Sequence, residues 1–507
     1  MENKTCVVIG AGMSGLSTAA ILARKGVKVT VLEANAELVG GLAALVKVGD
    51  GSCSFGPRYL WNFGEGNFGD RFLAALGIKK QVKLLKLNES GFEHVYHSRR
   101  KDKLVLPMSI SGYTSLLKKN FPTEADNIDA FFQDCYKSHE VGRFLISKNY
   151  QFVSRFISLP AIVRQFWWRP SVYITFFLRY RSSLGSIMDK HKLSRELQDI
   201  LNAHSLIFNE HDDDLSFHTY AHITLSYLEG SYFPEGGMKS IINPMIEVIQ
   251  KAGGEIVNGE RVIRAHLKFD NGKEIHSIET AEGNIYQADI FISSIDPNHL
   301  NNILKESDGA AVNAIPKYKY GPSGFAVFLE LNDTCDISGS FGRHNIVYCI
   351  ADEDRKEIDP DLGTRPPKHI YINSPSMSYG ESADTGKNYI SFIFGTSHAP
   401  ELRQVSPEKV EKFTIKLLKN SILQNLRPEH ILSTKTFGPK EIQSTFNTEN
   451  GNIYGKSMSS KDIFQRIPVE TKYNNLLQVG HFIAYAGVVS CMQSAAEINF
   501  RLFGEKI

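Results

Sequence analysis

The stretch KTCVVIGAGMSGLSTAAILARKGVKVTVLE, residues 4–33, decides the fold. Its first part, KTCVVIG, is a short β-branched run ending in glycine, which predicts a buried parallel strand. Apolar and small residues then recur at helical spacing until Gly26, and VKVTVLE predicts a second buried strand ending in the acid Glu33. The order strand, helix, strand predicts the first unit of a doubly wound α/β fold.

The turn after the first strand carries the pattern G-x-G-x-x-G at Gly10, Gly12 and Gly15. In such a turn the first glycine permits the tight bend, the second lets the backbone approach a pyrophosphate, and the third lets the helix pack closely. Glu33 follows about 20 residues on, where a carboxylate accepts hydrogen bonds from ribose hydroxyls and disfavours the extra phosphate of NADP. In this context the motif indicates a dinucleotide site more strongly than an unrelated glycine turn.

Composition excludes several classes of protein. The chain has 507 residues, 42% hydrophobic and 11% aromatic, which is enough for two interleaved domains and an apolar cavity. The net charge of +2 gives no reason to expect nucleic acid as a partner. The six cysteines form no C-x-x-C pattern or Cys/His cluster, so we expect no metal and a reducing, cytoplasmic location. A first strand starting near Lys4 leaves no room for a signal peptide, and no apolar run of about 18 residues predicts a membrane span.

The sequence after Glu33 indicates which dinucleotide is bound. A glycine pair, Gly40-Gly41, leads into a hairpin-like stretch and then FGPRYL at 55–60. This order resembles the FAD-binding start of the flavin amine oxidase and phytoene desaturase superfamily, whereas NAD enzymes continue in a plain β-α-β rhythm. Leu42 stands where that superfamily has arginine. A phosphate contact is therefore missing here or supplied by another residue.

Two later blocks carry the same resemblance. In residues 230–266 a turn precedes a predicted helix from Lys239 to Ala252, followed by strands and a hairpin. The resemblance implies that Val262 contacts the adenine side through its backbone and that the strand ending at Ser293 lies near the cofactor. In residues 474–504 a strand ends at Gly480, and a turn at Gly487 precedes a helix whose start would face the isoalloxazine ring.

The stretches SYFPEGGMKSI (231–241), HIYINSPSM (369–377) with NYISFIFGT (388–396), and ENGNIYGKS (449–457) resemble the carotenoid isomerase and retinol saturase branch of this superfamily. The resemblance implies a discontinuous Rossmann-like FAD-binding domain and a second α+β substrate domain. The FAD-binding domain would comprise residues 1–75, 230–300 and 440–507. The substrate domain would comprise a helical cap, 76–229, and a mixed-sheet part, 301–439.

Motif and resemblance together give a set of residues expected to bind FAD. They are Gly10, Ala11, Gly12, Ser14, Gly15, Glu33, Ala34, Gly40, Gly41, Leu42, Gly56, Pro57, Arg58, Val262, Ser293, Gly480, Gly487, Val488 and Val489. Covalent attachment in some flavin amine oxidases uses a cysteine before the final cofactor strand, whereas Cys491 follows that strand. We therefore expect non-covalent FAD.

The catalytic candidates are His481 and Arg58. His481 directly follows Gly480, so its backbone should lie near the flavin, although it could simply cap the strand end. Arg58 could stabilise reduced flavin, bind a substrate carboxylate or form a structural salt bridge. Other candidates for proton transfer are Tyr59, His204, His218 and His222. The last two are four residues apart, but two ordinary helix histidines are favoured over a metal pair.

Two further segments have open interpretations. Residues 151–182 interleave aromatic residues with Arg155, Arg164, Arg169, Arg179 and Arg181, and prolines divide them into short helical pieces. This segment either touches a membrane surface, with the rings in the acyl boundary, or packs as a cap with its arginines reaching water. HDDDL at 211–215 predicts a solvated turn and helix cap.

The favoured function is an FAD-dependent oxidoreductase that acts on C–C or C=C bonds of a hydrophobic, polyene-like small molecule, by desaturation, saturation or isomerisation. One alternative is a flavin oxidase of amines or amino-acid-derived metabolites in natural-product biosynthesis. A second is a non-catalytic lipid-binding protein of the Rab GDP-dissociation inhibitor type, although an intact glycine turn and Glu33 argue against a protein without a cofactor.

Overall fold

The computed structural model describes residues 4–147, 155–203, 211–268, 274–308, 318–463, 467–483 and 486–507. His204, one of the proton-transfer candidates, lies outside these residues. Within them the chain has the predicted fold class, an α/β architecture with a parallel sheet, a mixed sheet and a group of cap helices.

The parallel sheet confirms the prediction from residues 4–33. In spatial order its strands are Glu255–Asn258 (β10), Lys28–Glu33 (β2), Thr5–Ile9 (β1), Ile290–Ser293 (β14) and Leu476–Gln478 (β20). Val7 pairs with Thr30 on one side and Phe291 on the other, and all neighbouring strands run parallel. The carboxyl ends of segments far apart in sequence therefore meet at one edge, where ligands bind in such sheets.

Helices of the three predicted blocks pack together against this sheet. Met13–Arg24 (α1) contacts both Lys239–Lys251 (α10) and Val488–Phe503 (α15). On α10, Ile242, Met245 and Ile249 are buried and Ile246 is partly buried. Burial of small residues along α1, such as Ala19 and Ala20, allows the close approach of its neighbours.

Smaller antiparallel sheets surround this unit. They are formed by Leu45–Val48 (β3) with Gly51–Ser54 (β4); by Leu60–Trp61 (β5), Ser231–Pro234 (β9) and Leu84–Lys86 (β6); and by Val262–Leu267 (β11), Ile275–Thr280 (β12) and Ile285–Gln287 (β13). The turn of the β12–β13 hairpin contains Gly283, which has φ +83°. Two helices also flank this part of the chain, Phe68–Ala75 (α2) and Pro297–Asp308 (α11).

The largest sheet among the described residues is mixed and has seven strands. Its spatial order is Ile431–Phe437 (β19), Gly324–Leu331 (β15), Asn388–Gly395 (β18), His369–Asn373 (β17), Asn345–Cys349 (β16), Glu93–His97 (β7) and Leu104–Leu106 (β8). The pairing of β16 with β7 is parallel and the others are antiparallel. β7 and β8 come from residues 76–229, which were expected to be helical. Both strands are short, β7 pairs with a strand about 250 residues later, and β8 pairs only with β7, so the local pattern gave little signal.

The remaining helices form the cap and cover the mixed sheet. They are Ile110–Asn120 (α3), Ala125–Ser147 (α4), Arg155–Phe166 (α5), Pro170–Leu178 (α6), Leu184–Lys190 (α7), Arg195–Asn202 (α8), Phe217–Glu229 (α9), Pro375–Tyr379 (α12), Pro407–Ser421 (α13) and Pro439–Phe446 (α14). Pro170 begins α6 as predicted, but Pro160 lies inside α5. Pro160 is the sixth of the twelve residues of α5, so the helix lacks one of its backbone hydrogen bonds there. Among the described residues, none of the helices is both long and apolar enough to cross a bilayer.

Candidate functional site

A cavity of ≈ 770 Å³ joins the carboxyl edge of the parallel sheet to the mixed sheet and the cap. At one end it is lined by the first turn, including Gly10 and Gly12, and by Glu33. At the other end it is lined by apolar and aromatic side chains of β5, α9, β15 and β18. We call the first part the groove and the second part the chamber. A ligand with a polar, dinucleotide-like half would fit the groove while its other end reached the chamber.

The first turn is built for close approach of a phosphate. Gly10 has φ +95°, and its carbonyl accepts a hydrogen bond from Ser294 Oγ at 2.9 Å. A Cβ on Gly15 would lie 2.0 Å from the oxygen of Gly10, so only glycine lets α1 start here. A Cβ on Gly12 would meet nothing within 4 Å. Gly12 therefore faces open space in the groove, and this space together with the start of α1 fits a diphosphate.

Glu33 is held in the groove by main-chain donors. Its Oε2 accepts a hydrogen bond from the Ala11 N–H at 2.8 Å, and its Oε1 accepts one from the Asn35 N–H at 2.9 Å. Gly40, with φ +114°, donates its N–H to the Ala11 carbonyl at 2.9 Å and brings the glycine pair beside the turn. The carboxylate is thus positioned beside the turn, as a ribose ligand must be.

Replacing Glu33 by alanine should weaken FAD binding by roughly 1.5–3 kcal/mol, because charge-assisted hydrogen bonds are lost. The measurement is a titration of the apoprotein with FAD. Glu37→Ala, which changes an exposed acid four residues away, serves as the control and should leave the affinity unchanged. Equal affinities of Glu33→Ala and wild type would show that Glu33 does not bind the ribose.

Most of the predicted FAD residues line this cavity. The structure brings together Gly10, Gly12, Ser14, Glu33, Ala34, Gly40, Gly41, Leu42, Gly56, Pro57, Arg58, Val262, Gly480, His481, Gly487, Val488 and Val489. Ala11, Gly15 and Ser293 are not among the lining residues; Ser294, next to Ser293, is. Arg261 also lines the cavity and brings a positive charge that Leu42 lacks.

The last helix begins at the cavity wall. α15 starts at Val488, and its N-cap residue, Gly487, has φ +105°, a conformation that favours glycine. Val488, Val489 and Cys491 all line the cavity. The first N–H groups of a helix have no partner within the helix itself. The start of α15 therefore offers such groups to a ligand ring in this part of the cavity.

His481 lies at the junction of groove and chamber. It lines the cavity, its ring centroid lies 4.4 Å from that of Phe482 with the two planes tilted by 40°, and its Nε2 is buried without a hydrogen-bond partner among the described residues. Burial lowers the pKa of His481 to about 4. The imidazole is therefore neutral at pH 7, so it can donate or accept a hydrogen bond but carries no charge.

The other candidate histidines occupy the cap. Both nitrogens of His218 are in hydrogen bonds, with Ser138 Oγ at 2.8 Å and with the Phe176 carbonyl at 2.9 Å. His222 is packed edge-on against Trp61, with ring centroids 5.6 Å apart. Neither histidine lines the cavity, and they are core histidines as favoured from the sequence.

A buried carboxyl group behind the chamber wall was missed from the sequence. Glu93, on β7, accepts hydrogen bonds from Tyr371 at 3.1 Å and from Tyr59 at 3.3 Å. Both phenols line the chamber, and Tyr227 packs on Tyr59 with ring centroids 4.2 Å apart. Burial raises the pKa of Glu93 to about 7, although the two tyrosine hydrogen bonds oppose this. A protonated carboxyl group thus lies one hydrogen bond from the chamber.

This environment gives a pH-dependent prediction for stability. The unfolded chain ionises Glu93 near its usual pKa of about 4.3, whereas the folded state keeps it protonated until about pH 7. The folded state therefore loses stability as pH rises through this window. Between pH 5 and 8, Glu93→Gln should gain about 2–3 kcal/mol relative to wild type in urea unfolding. Glu65→Gln, at an exposed site, is the control. A difference between Glu93→Gln and wild type that stays constant with pH would contradict the assignment.

Arg58 lines the cavity. Its side chain is buried, and Nη1 donates to the carbonyls of Ser54 and Pro57, both at 3.1 Å. No carboxylate lies within ion-pair distance among the described residues, so the structural salt bridge considered for Arg58 is not formed there. Burial lowers the pKa of Arg58 from its usual range.

The HDDDL segment forms the predicted turn, but the turn is not fully solvated, and the N-cap residue of α9 is Ser216, outside this segment. Asp213 is exposed, but Asp212 is buried, with Oδ2 at 3.4 Å from Lys368 Nζ and Oδ1 at 3.1 Å from His398 Nε2. Lys368 also contacts Asp199 Oδ1 at 3.1 Å. Burial alone would lower the pKa of Lys368. The negative charges of Asp212 and Asp199 have the larger effect together, so the pKa of Lys368 is raised. This cluster joins the cap to the mixed sheet, away from the cavity.

Comparisons with known proteins agree with this geometry. The model of the family described as "Flavin containing amine oxidoreductase" matches residues 13–497. The All-trans-retinol 13,14-reductase of Danio rerio is 26% identical over 393 residues, which are 74% of this chain and 62% of that protein. A 4,4'-diapophytoene desaturase of Staphylococcus aureus is 21% identical over 93% of both chains. A putrescine oxidase structure shares the fold, with TM-score 0.67 and 12% identity over 99% of this chain and 100% of that chain.

Proposed function

Because the chain belongs to the family of flavin containing amine oxidoreductases, we propose that it oxidises or reduces carbon–carbon bonds of a hydrophobic, polyene-like small molecule, with FAD as cofactor. The observation that carries this proposal is the single cavity that joins the groove to an apolar, aromatic chamber. Two relatives support it, since their names are those of a retinol reductase and a diapophytoene desaturase. The chain spans 62% of the length of the first and 93% of the second.

The FAD-binding part of the proposal assigns roles to this chain's residues. The turn at Gly10 and Gly12 and the start of α1 would hold the diphosphate, Glu33 would hold the adenosine ribose, and the segment from Gly56 to Arg58 and the start of α15 would border the ring. The FAD domain comprises 1–75, 230–300 and 440–507, and the remaining segments form the substrate domain. Bound in this way and without a covalent link, FAD supplies hydride donation or acceptance at N5 of its ring.

The remaining chemistry belongs to the protein. The apolar side chains of the chamber exclude water and orient the substrate chain along the cavity. His481, neutral and at the junction of groove and chamber, holds or accepts the proton that accompanies hydride transfer. A protonated amine is disfavoured as substrate, because the buried guanidinium of Arg58 would repel it. A lipid-binding protein without cofactor is disfavoured, because Gly12 leaves open a space that such a protein does not use.

The test uses the purified holoprotein under anaerobic conditions. We expect a yellow protein whose flavin is photoreduced and is then reoxidised by one of three acceptors: oxygen, a quinone, or an oxidised nicotinamide dinucleotide. Fast reoxidation by oxygen would indicate an oxidase, and fast reoxidation by a quinone would indicate a membrane-coupled dehydrogenase. In a separate measurement, reduction of the flavin by a reduced nicotinamide dinucleotide would indicate a saturase. A colourless protein that cannot be reconstituted with FAD would contradict the proposal.

A membrane surface as the source of substrate is the second part of the proposal. Trp167, Trp168 and Leu178, at the ends of α5 and α6, are 73%, 62% and 70% exposed. The opposite side of these helices is buried at Ile162, Phe166, Val172 and Phe176. The inner face of this segment packs as a cap. Its outer face presents aromatic rings, which supports the proposed contact with a membrane surface. Arg169 and Arg179 pair with Glu140 and Asp134, which leaves the exposed Arg164 and Arg181 for anionic headgroups. Residues 151–154 of this segment lie outside the described residues.

Replacing both tryptophans, Trp167→Ser and Trp168→Ser, should weaken binding to vesicles of mixed neutral and anionic phospholipid by more than about tenfold, because two apolar anchors are lost. Cosedimentation with the vesicles gives the measurement. Ile285→Ser removes another exposed apolar side chain, 61% exposed on β13, and should not change binding. Unchanged cosedimentation of the double variant would remove the membrane contact from the proposal.

A further inference from the structure

We propose that Arg58 binds a carboxylate at the end of the substrate chain, so that the substrate is an amphipathic acid with an apolar tail and not a neutral alcohol or hydrocarbon. This inference rests on the proposed function, because it takes the chamber as the substrate site. It differs from what the names of the relatives suggest, since neither a retinol nor a diapophytoene is an acid.

The first observation is the incomplete pairing of the guanidinium. Arg58 is 7% exposed, and among the described residues its hydrogen bonds all run from Nη1 to main-chain carbonyls. Its Nε and Nη2 are buried and have no hydrogen-bond partner among the described residues. A buried charge in this state is costly unless a further group pairs with it. The fold therefore holds a cation that lacks an anion.

The second observation is that the neighbouring acid does not serve as that anion. Glu381 is close enough for its charge to act on Arg58, but its Oε1 accepts hydrogen bonds from the Ser54 N–H at 2.9 Å and the Ser54 hydroxyl at 2.5 Å. The other groups near the guanidinium are uncharged; the Phe328 ring centroid, for example, lies 5.8 Å from its central carbon. Among the described residues no ion pair balances the guanidinium, so a ligand in the cavity that Arg58 lines would supply the anion.

The third observation is the chemistry of the chamber around Arg58. The cavity that Arg58 lines is also lined by Leu60, Trp61, Ile223, Phe325 and Ile393, which are apolar. A ligand that fits both features has one anionic end and a long apolar body. A carboxylate matches the planar guanidinium with two parallel hydrogen bonds, which a hydroxyl group cannot form.

The experiment compares matched ligands on the FAD-loaded protein by isothermal titration calorimetry, which does not require turnover. The pairs are all-trans-retinoic acid with all-trans-retinol, and hexadecanoate with hexadecanol. Wild type should bind each acid roughly 30-fold more tightly than its alcohol, as expected for a charge-assisted contact. Arg58→Met should reduce this preference to within about threefold, and Arg58→Lys, which keeps the charge but not the planar fork, should retain part of it. Arg365→Met, at an exposed arginine outside the cavity, should bind as wild type does.

Several outcomes would overturn the inference. They are equal binding of acid and alcohol by wild type, no binding of either, or a preference that persists in Arg58→Met. A fourth is an Arg58→Met variant with a shifted flavin reduction potential and intact acid preference, because Arg58 would then serve the flavin. FAD content and photoreduction are measured on the same samples. If they are normal while acid preference is absent, this inference fails and the proposed function stands; if flavin is absent, the proposed function fails.

Discussion

A Gly12→Val variant should fold and be purified with less than about a tenth of the wild-type FAD content, because its side chain would occupy the place of the pyrophosphate. Gly12 has φ −69°, which valine adopts without strain, and a Cβ there meets no protein atom within 4 Å. The loss should therefore be specific to the cofactor. The flavin absorbance per polypeptide gives the measurement, and circular dichroism checks the fold.

The matched control is Gly339→Val, at an exposed glycine where a Cβ also meets nothing within 4 Å. It should retain FAD at the wild-type ratio. Gly15→Val is expected to fail differently, by misfolding, because its Cβ would lie 2.0 Å from the Gly10 oxygen. A Gly12→Val protein that retains its full flavin would show that the phosphates lie elsewhere.

A Lys368→Met variant should lose about 3–5 kcal/mol of stability, because it leaves Asp199 and Asp212 buried without their cation. The side chains of Lys368 and Asp199 are each 5% exposed, so water cannot replace the lost partner. Urea unfolding of the wild type and the variant measures the difference. The cluster lies away from the cavity, so the flavin content of the folded variant should not change.

Two further variants separate this interpretation from a general effect of the substitution. Lys461→Met, at an exposed lysine, should change stability by less than about 0.5 kcal/mol. Combining Lys368→Met with Asp199→Asn should recover part of the loss, because one of the uncompensated charges is removed. If Lys368→Met is as stable as the Lys461→Met control, the buried ion cluster does not stabilise the joint between cap and sheet.

The groove was predictable because its chemistry is local in sequence. The glycine turn, α1 and Glu33 lie within 30 consecutive residues. The turn requires glycine for its conformation, and the ribose site requires an acid, so few residue types fit these positions. The later blocks were predictable for a related reason, since strand, turn and helix follow each other within about 30 residues at 230–266 and 474–504. Parallel pairing then brings these blocks to one edge.

The chamber and the ion cluster were not predictable in the same way. Glu93 is 34 residues from Tyr59 and 278 from Tyr371, and nothing near it in sequence marks it as buried. Asp212 was expected to be solvated because its local neighbours are acidic, whereas it is buried against Lys368, 156 residues later. Burial of a charge by distant elements leaves no periodic signal in the chain.

The central claim is that a dinucleotide diphosphate lies against the side-chain-free turn at Gly12 with Glu33 at the ribose. The most direct measurement is the electron density of a crystal of the protein as purified. We expect FAD with its diphosphate beside the backbone of Gly12 and its adenosine ribose hydroxyls bonded to the carboxylate of Glu33. A groove filled by protein atoms, or a flavin bound elsewhere in the molecule, would contradict it.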